Sequence, residues 1–142
     1  MENLELYKHI YKDCEMSIFS LDTLLDDIKE KDNKIKNIIE DIRGGYERYF
    51  NEVTKLLDGD NPKKTGMMAK VGASMGISKE VKEDNSDASI ADMLIKGVSM
   101  GVLDMEKKIK DYEDKIDKKE LNFAKDFLKF QHETISGLKK FL

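Results

Sequence analysis

A long connector between two pairs of regular amphipathic segments is the feature that most restricts how this chain can fold. The connector covers residues 58–87, and the segments of each pair are separated by only a short turn. Short turns make each pair an antiparallel helical hairpin, while a connector of this length can return along a whole helix. We therefore predict an all-α four-helix bundle in which one long crossover joins two antiparallel hairpins.

The four amphipathic segments share one hydrophobic pattern. Apolar residues recur at alternating steps of three and four, which is the spacing of the a and d positions of packed helices. Charged residues make up 38% of the chain, as is typical of helices with charged outer faces. The pattern predicts a single domain over residues 1–142, with helices over about 4–30, 34–57, 88–115 and 119–142.

Turn and capping residues predict where these helices begin and end. Gly59 and Pro62 end the second helix, because glycine adopts the left-handed conformation and proline cannot continue a helix. Side chains that can cap a helix N-terminus precede each later helix. These predicted caps are Asp32 or Asn33, Thr65, Asp87 or Ser89 (as a capping box with Asp92), and Asp117 with Glu120. The cap at Thr65 predicts a short helix in the crossover, over the apolar stretch 66–77.

Composition argues against several classes of partner. The 29 acidic and 25 basic residues are interspersed and give a net charge of -4, so no basic stripe is available for nucleic acid. The longest mainly apolar run, 66–77, is too short to span a membrane. The single Cys14 cannot form an internal disulfide, and the N-terminal residues do not resemble a signal peptide. We therefore expect a cytoplasmic protein that binds neither nucleic acid nor membrane.

The third predicted helix carries the run ADMLIKGVSMGV at residues 91–102. In this run, and in the layout of two hairpins and one crossover, the chain resembles small uncharacterised bacterial members of the ferritin-like superfamily. The resemblance implies ferritin-like connectivity. It also implies, as one alternative, a metal-binding or redox function of the ferritin-like type.

The residues that a ferritin-like di-metal centre needs are missing from this sequence. Such a centre takes a Glu from each of two helices and a Glu-x-x-His motif from each of the other two. Leu6 and Lys129 stand three residues before His9 and His132, and no Asp, Glu or His occupies an a or d position. The sequence therefore predicts no bound metal or cofactor. The metal-binding alternative would rely on residues beside the a and d positions, for which a solvent-exposed face is expected: Glu15, Glu47 and His132.

Polar residues at the a and d positions collect in one half of the predicted bundle. Buried phenol and amide groups need hydrogen-bond partners, so this cluster has two interpretations. One is a network that fixes how the helices align, and the other is a polar pocket that binds a small ligand. The candidate residues are Tyr11, Cys14, Tyr46, Tyr49 and Gln131.

Small residues and methionines mark a candidate interaction surface. Two Gly-x-x-x-Gly steps, one in the connector and one in the third helix, allow close approach of another backbone. We expect the connector to pack as an ordered lid, with the connector itself or a second subunit lying against the third helix. The candidate interface residues are Met67, Met68, Gly72, Gly76, Gly97 and Gly101.

No catalytic motif is present: the sequence lacks a phosphate loop, a hydrolase elbow, a zinc-ligand cluster and a dinucleotide fingerprint. The favoured function is that of a non-catalytic bundle protein that self-associates or binds a protein partner. The alternatives are the metal-binding or redox function and the small-ligand pocket. A parallel coiled coil of separate helices is disfavoured, because the hairpin turns are short and capped.

Overall fold

The computed structural model describes residues 3–142, whose regular elements are all helices, and this confirms the predicted all-α class. It contains five helices and no strand in these residues. Four of the helices correspond to the segments with the a and d pattern, and the other, α3, lies in the connector. The helices are α1 (Glu5–Asp27), α2 (Lys36–Leu57), α3 (Met67–Glu83), α4 (Asp87–Tyr112) and α5 (Lys118–Lys139).

Hydrogen bonds at the two ends of the bundle show how the long helices run. Near the start of α2, Nδ2 of Asn33 donates to Oδ1 of Asp87 at 2.8 Å, which places the start of α4 at this end. At the other end, the backbone N–H of Leu6 donates to Oε2 of Glu120 at 3.1 Å, which places the start of α5 beside the start of α1. Helix α4 therefore runs antiparallel to α1, and α5 runs parallel to α1.

Helix α3 returns along α1. At its beginning, the backbone N–H of Thr65 donates to Oε1 of Glu15 at 3.0 Å, and near its end Oγ of Ser78 donates to Oδ2 of Asp27 at 2.7 Å. These two contacts fix α3 parallel to α1 over the second half of that helix. The prediction that the connector lies against the third helix is therefore wrong, because α3 packs mainly on α1 and not on α4. The alternative, a second subunit against that helix, stays a prediction.

Helix α1 is the centre of the structure, because it packs against each of the other four helices. It consequently buries more than one stripe of side chains. Leu6, Ile10 and Leu24 lie outside the predicted a and d positions and are nevertheless completely buried. A helix with several neighbours needs an apolar face wider than the narrow stripe of a two-stranded coiled coil.

Two of the predicted helix ends are confirmed. Oδ1 of Asp117 accepts a hydrogen bond of 2.8 Å from the backbone N–H of Glu120 and caps α5. Helix α2 ends at Leu57, and the φ angles of the next two residues, Asp58 at 47° and Gly59 at 96°, are left-handed. Within residues 3–142, no helix combines the length and the apolar character that crossing a bilayer requires.

Three predicted caps are wrong, each because the side chain has another partner or position. Asn33 bonds to the start of α4, and α2 begins without a side-chain cap. Thr65 bonds to α1, and α3 begins at Met67 after the N-cap residue Gly66, which offers no side-chain cap. Helix α4 is capped one residue earlier than predicted, where Oγ of Ser86 accepts from the backbone N–H of Ser89 at 3.2 Å.

Candidate functional site

A cavity of about 270 Å³ is lined mainly by residues of α1 and α4, with further residues from α2, α3 and α5, and we call it the groove. An apolar cavity of about 150 Å³ is enough to hold benzene, so the groove has room for a somewhat larger molecule. Polar groups occur along one side, at Asp13, Ser17, Ser20 and Tyr46. The rest of the wall is mainly apolar and includes Leu21, Leu24, Ile42, Met93, Leu94 and Leu138.

Four side chains at the polar side of the groove form one hydrogen-bonded group, which we call the polar network: Asp13, Ser17, Tyr46 and Gln131. Oγ of Ser17 donates to Oδ1 of Asp13 at 2.9 Å, and Nε2 of Gln131 donates to Oδ2 of Asp13 at 2.9 Å. Nε2 of Gln131 also lies 3.5 Å from the hydroxyl oxygen of Tyr46. The network thus joins α1, α2 and α5, with the carboxyl group of Asp13 at its centre.

Gly101 on α4 leaves the space in which two members of the network meet. A Cβ atom at this position would lie 2.9 Å from Nε2 of Gln131 and 3.1 Å from Oδ2 of Asp13. Both distances are shorter than ordinary van der Waals contact, so a side chain would press on the hydrogen bond. The two glycines predicted as one interface therefore differ: Gly101 faces the polar network, while Gly97 lines the groove with nothing within 4 Å of its missing Cβ.

Asp13 is a carboxyl group that lacks a cationic partner in the described part of the chain. Burial raises the pKa of Asp13, and the nearby charge of Asp104 raises it further. The hydrogen bonds from Ser17 and Gln131 and the proximity of His9 lower this pKa only in part. The groove therefore contains a carboxyl group whose ionised form has no cationic partner among residues 3–142.

Other titratable groups near Asp13 are held in their neutral forms. Burial raises the pKa of Tyr46, and the charge of Asp13 adds to that shift, so the phenol keeps its proton. Burial likewise raises the pKa of the Cys14 thiol, again with a contribution from Asp13. Burial lowers the pKa of His9, which lies one turn before Asp13 on α1. A protonated thiol is a poor nucleophile, so the surroundings of Cys14 do not favour covalent catalysis.

Two buried acceptor or donor atoms near the network lack a hydrogen-bond partner among residues 3–142: Oε1 of Gln131 and Nε2 of His9. The Gln131 side chain is completely buried. An unpaired polar atom in such a position costs on the order of 1 to 3 kcal/mol. The surroundings of the polar network therefore have hydrogen-bonding capacity that the described side chains do not use.

The five residues predicted as a polar pocket are distributed over different surroundings. Tyr46 and Gln131 meet in the polar network, and of the five only Tyr46 lines the groove. The hydroxyl of Tyr49 donates to the backbone carbonyl of Asp126 at 3.2 Å. The rings of Tyr49 and Tyr11 pack on phenylalanines, with centroids 5.2 Å from Phe127 and 4.8 Å from Phe50 respectively. Cys14 is completely buried in the hydrophobic core.

Sequence reasoning missed Asp13, Ser17 and Ser20, although a signal for them was present. They interrupt the second buried stripe of α1, which begins at Leu6 and Ile10 and resumes at Leu24. Polar residues within an otherwise apolar stripe face the interior, where they need partners. Recognising that α1 has two buried stripes would have identified them.

The residues of the metal-binding alternative do not come together. Glu15 was expected on a solvent-exposed face, and this is wrong because α3 covers it: Oε1 accepts from Oγ1 of Thr65 at 2.9 Å, and Nζ of Lys70 lies 3.8 Å from Oε2. Glu47 instead accepts from Arg43 at 2.9 Å, and His132 is exposed. Within the range 3–142, no three His, Cys, Asp or Glu side chains are grouped so that they could hold a metal ion.

Comparison of the chain with protein-family models, with curated proteins and with solved structures gives no match. What the groove can bind therefore follows from its own chemistry. Its apolar wall favours an apolar molecule, and its polar side offers a carboxyl group, hydroxyl groups and a phenol. A concave, mainly apolar site with a few convergent polar groups is the usual form of a small-molecule site.

Proposed function

We propose that the protein is a non-catalytic binding protein that holds a small, mainly apolar molecule in the groove between α1 and α4. The observation that carries this proposal is the groove itself, where the apolar wall ends at Asp13, Ser17 and Tyr46. The apolar part would supply most of the affinity, and the polar side would orient the ligand.

The affinity of such a site is weak. Burial of apolar surface contributes about 25 cal/mol per Å², so a ligand that buries about 150 Å² gains roughly 4 kcal/mol before the cost of association. We therefore expect dissociation constants in the millimolar range. This range suits a protein that samples or buffers a small molecule.

The protonation states near the groove support binding rather than catalysis. Cys14 and Tyr46 keep their protons at neutral pH, because burial raises the pKa of each. The hydroxyl of Ser17 is bonded to Asp13, and no histidine lines the groove. The groove lining therefore contains no histidine base that could activate the Ser17 hydroxyl.

Filling the groove with a side chain tests this function. Gly97 lines the groove and has open space around its missing Cβ, so Gly97→Phe would occupy the ligand's volume. Gly72 on α3 is the matched control, since it is also helical with nothing within 4 Å and does not line the groove. In ¹H–¹⁵N NMR titrations with n-octanol, we expect Gly97→Phe to abolish binding and Gly72→Phe to retain it. Equal binding by both variants would contradict the proposal.

Self-association is a second candidate function, because the outer face of α3 is unusually apolar. Met67, Met68 and Met75 are 75%, 90% and 68% exposed. The same helix carries Gly72 and Gly76, where a Cβ would have nothing within 4 Å. Protruding methionines and gaps at glycines on one helix are self-complementary, which suits a two-fold contact with a second copy.

Sedimentation measurements test the second candidate. We expect the wild type to form a concentration-dependent dimer, and Met68→Lys with Met75→Lys to remain monomeric. Substitution of the exposed Lys82 by Glu is the control for a change of charge on the same helix. A wild type that stays monomeric at high protein concentration would exclude this candidate.

We also infer a ferritin-like connectivity for the bundle. The contacts from Asn33 to Asp87 and from Leu6 to Glu120 support it, since they place the starts of α2 and α4 at one end and those of α1 and α5 at the other. In that arrangement the polar network takes the place that carboxylate ligands hold in di-metal bundles. An experimental structure in which α2 and α4 run antiparallel would overturn the inference.

A further inference from the structure

The charge of the groove lining restricts what kind of molecule it can hold. Asp13 is the only acidic side chain of the lining, and the lining contains no Lys, Arg or His. Asp13 forms no ion pair with any residue in the range 3–142. Charged side chains that are withdrawn from water are normally paired, because an isolated charge is costly to desolvate. Within residues 3–142, Asp13 therefore lacks the cationic partner that a buried carboxylate normally has.

The neighbouring groups of the protein do not supply that cation. His9 lies one turn before Asp13 on α1 and interacts with it electrostatically, but burial lowers the pKa of His9, so it is mostly uncharged at neutral pH. Asp104 on α4 adds a second negative charge in the vicinity, and the charge of Lys108 on the same helix lowers the pKa of His9 further. The residues that face Asp13 from α2 and α5, Tyr46 and Gln131, are neutral.

The Asp13 carboxylate is oriented and still has capacity to bind. Ser17 and Gln131 each donate one hydrogen bond, one to each carboxylate oxygen. An ionised carboxylate has about four acceptor positions, so further donors can be accepted. Because Asp13 also lines the groove, a ligand in the groove can reach it. The protein thus fixes the carboxylate from two sides and presents it to the groove.

We propose that the groove selects amphiphilic cations: an apolar chain or ring with one protonated amine, bound with the ammonium group at Asp13. This inference rests on the proposed function and names the class of its ligand. A charge-assisted hydrogen bond between ammonium and carboxylate is roughly twice as strong as a neutral one. An alcohol of the same length forms only a neutral hydrogen bond there. A carboxylate ligand would place a like charge beside Asp13 and bind most weakly.

A series of ligands that differ only in the head group tests this proposal without any variant. We would titrate the protein at pH 7 with n-octylammonium, n-octanol and n-octanoate, and follow the amide signals of Leu94 and Gly97 by NMR. We expect octylammonium to bind about tenfold more tightly than octanol, with octanoate the weakest. Octanoate binding as tightly as octylammonium would overturn the cation preference and leave the binding function intact. Failure of all three ligands to bind would overturn the binding function as well.

Substitution of the carboxylate separates direct pairing from a general effect of charge. Asp13→Asn keeps the size of the side chain and removes the charge, and we expect it to reduce the preference for octylammonium over octanol to about threefold or less. Asp104→Asn is the matched control on α4, and we expect it to retain most of the preference. Equal loss in both variants, or an unchanged preference in Asp13→Asn, would contradict pairing at Asp13.

Discussion

Nε2 of Gln131 on α5 lies 2.9 Å from Oδ2 of Asp13 on α1, and this hydrogen bond joins the last helix to the first beside the groove. The glutamine occupies an a or d position, where an apolar residue would be usual. Its partner is a carboxyl group whose only other hydrogen bond within the described chain comes from Ser17. The bond therefore links the packing of the bundle to the chemistry of the groove.

Space around this bond is provided by Gly101, and we predict that Gly101→Ala destabilises the protein. The added Cβ would lie 2.9 Å from Nε2 of Gln131, which is completely buried and has little room to move. Gly97→Ala on the same helix is the control, and it should stabilise by about 0.5 to 1 kcal/mol because alanine is the better helix former. In urea unfolding, we expect Gly101→Ala to be less stable than Gly97→Ala by about 1 to 2 kcal/mol. Equal stability of the two variants would contradict this role of Gly101.

The adjacent glycines of α2 give a second matched pair. A Cβ at Gly45 would overlap Cε1 of Phe130, whereas a Cβ at Gly44 would have nothing within 4 Å. The ring of Phe130 is itself packed 5.0 Å from the ring of Tyr46, so it cannot move freely. We predict that Gly45→Ala costs about 1 to 3 kcal/mol and that Gly44→Ala gains about 0.5 to 1 kcal/mol. Thermal and urea unfolding would show this opposite sign, and stabilisation by both substitutions would refute the close contact.

Asp13→Asn is expected to stabilise the protein at neutral pH. Burial raises the pKa of Asp13 in the folded state above its ordinary value near 3.8, which means that folding disfavours the charged form. This destabilisation of the folded state is absent at pH values below the ordinary pKa and fully present at pH values above the raised pKa. Gln131 can turn its amide so that its unpaired Oε1 accepts from the side-chain nitrogen that the substitution introduces.

The pH dependence provides the check on this sign. We expect the difference in unfolding free energy between Asp13→Asn and the wild type to grow as pH rises from the ordinary carboxyl range, and to shrink below it. The groups that face Asp13 and enter this balance are His9, Cys14, Tyr46 and Asp104. A variant that is less stable than the wild type at pH 7 would show that the charge of Asp13 is satisfied within the fold.

Glu15 anchors the start of α3, and its replacement should loosen that helix. Oε1 of Glu15 accepts from both the backbone N–H and the hydroxyl of Thr65, at 3.0 and 2.9 Å. We predict that Glu15→Ala costs about 1 to 3 kcal/mol and increases hydrogen exchange in α3 while the rest of the bundle stays protected. The exposed Glu106 on α4 is the control, and its substitution by Ala should change neither quantity. Unchanged exchange in α3 would contradict the anchoring role.

The helices were predictable because their a and d patterns are strong and their connections carry clear turn residues, as at Gly59 and Asp117. The site was less predictable for a physical reason. A pattern of a and d positions describes contacts between neighbouring helices, whereas α1 contacts four helices at once. Asp13 and Glu15 both lie beside that pattern. Helix α4 packs over Asp13, and the start of α3 packs over Glu15. Such long-range packing is not encoded in the spacing of residues along α1 alone.

The most direct test is to map where n-octanol binds to the wild-type protein by ¹H–¹⁵N NMR. Binding in the groove predicts concentration-dependent shifts at Leu94, Gly97 and Leu138, which line it. Shifts confined to the exposed methionines of α3, or no saturable shift at any residue, would contradict the proposed binding function.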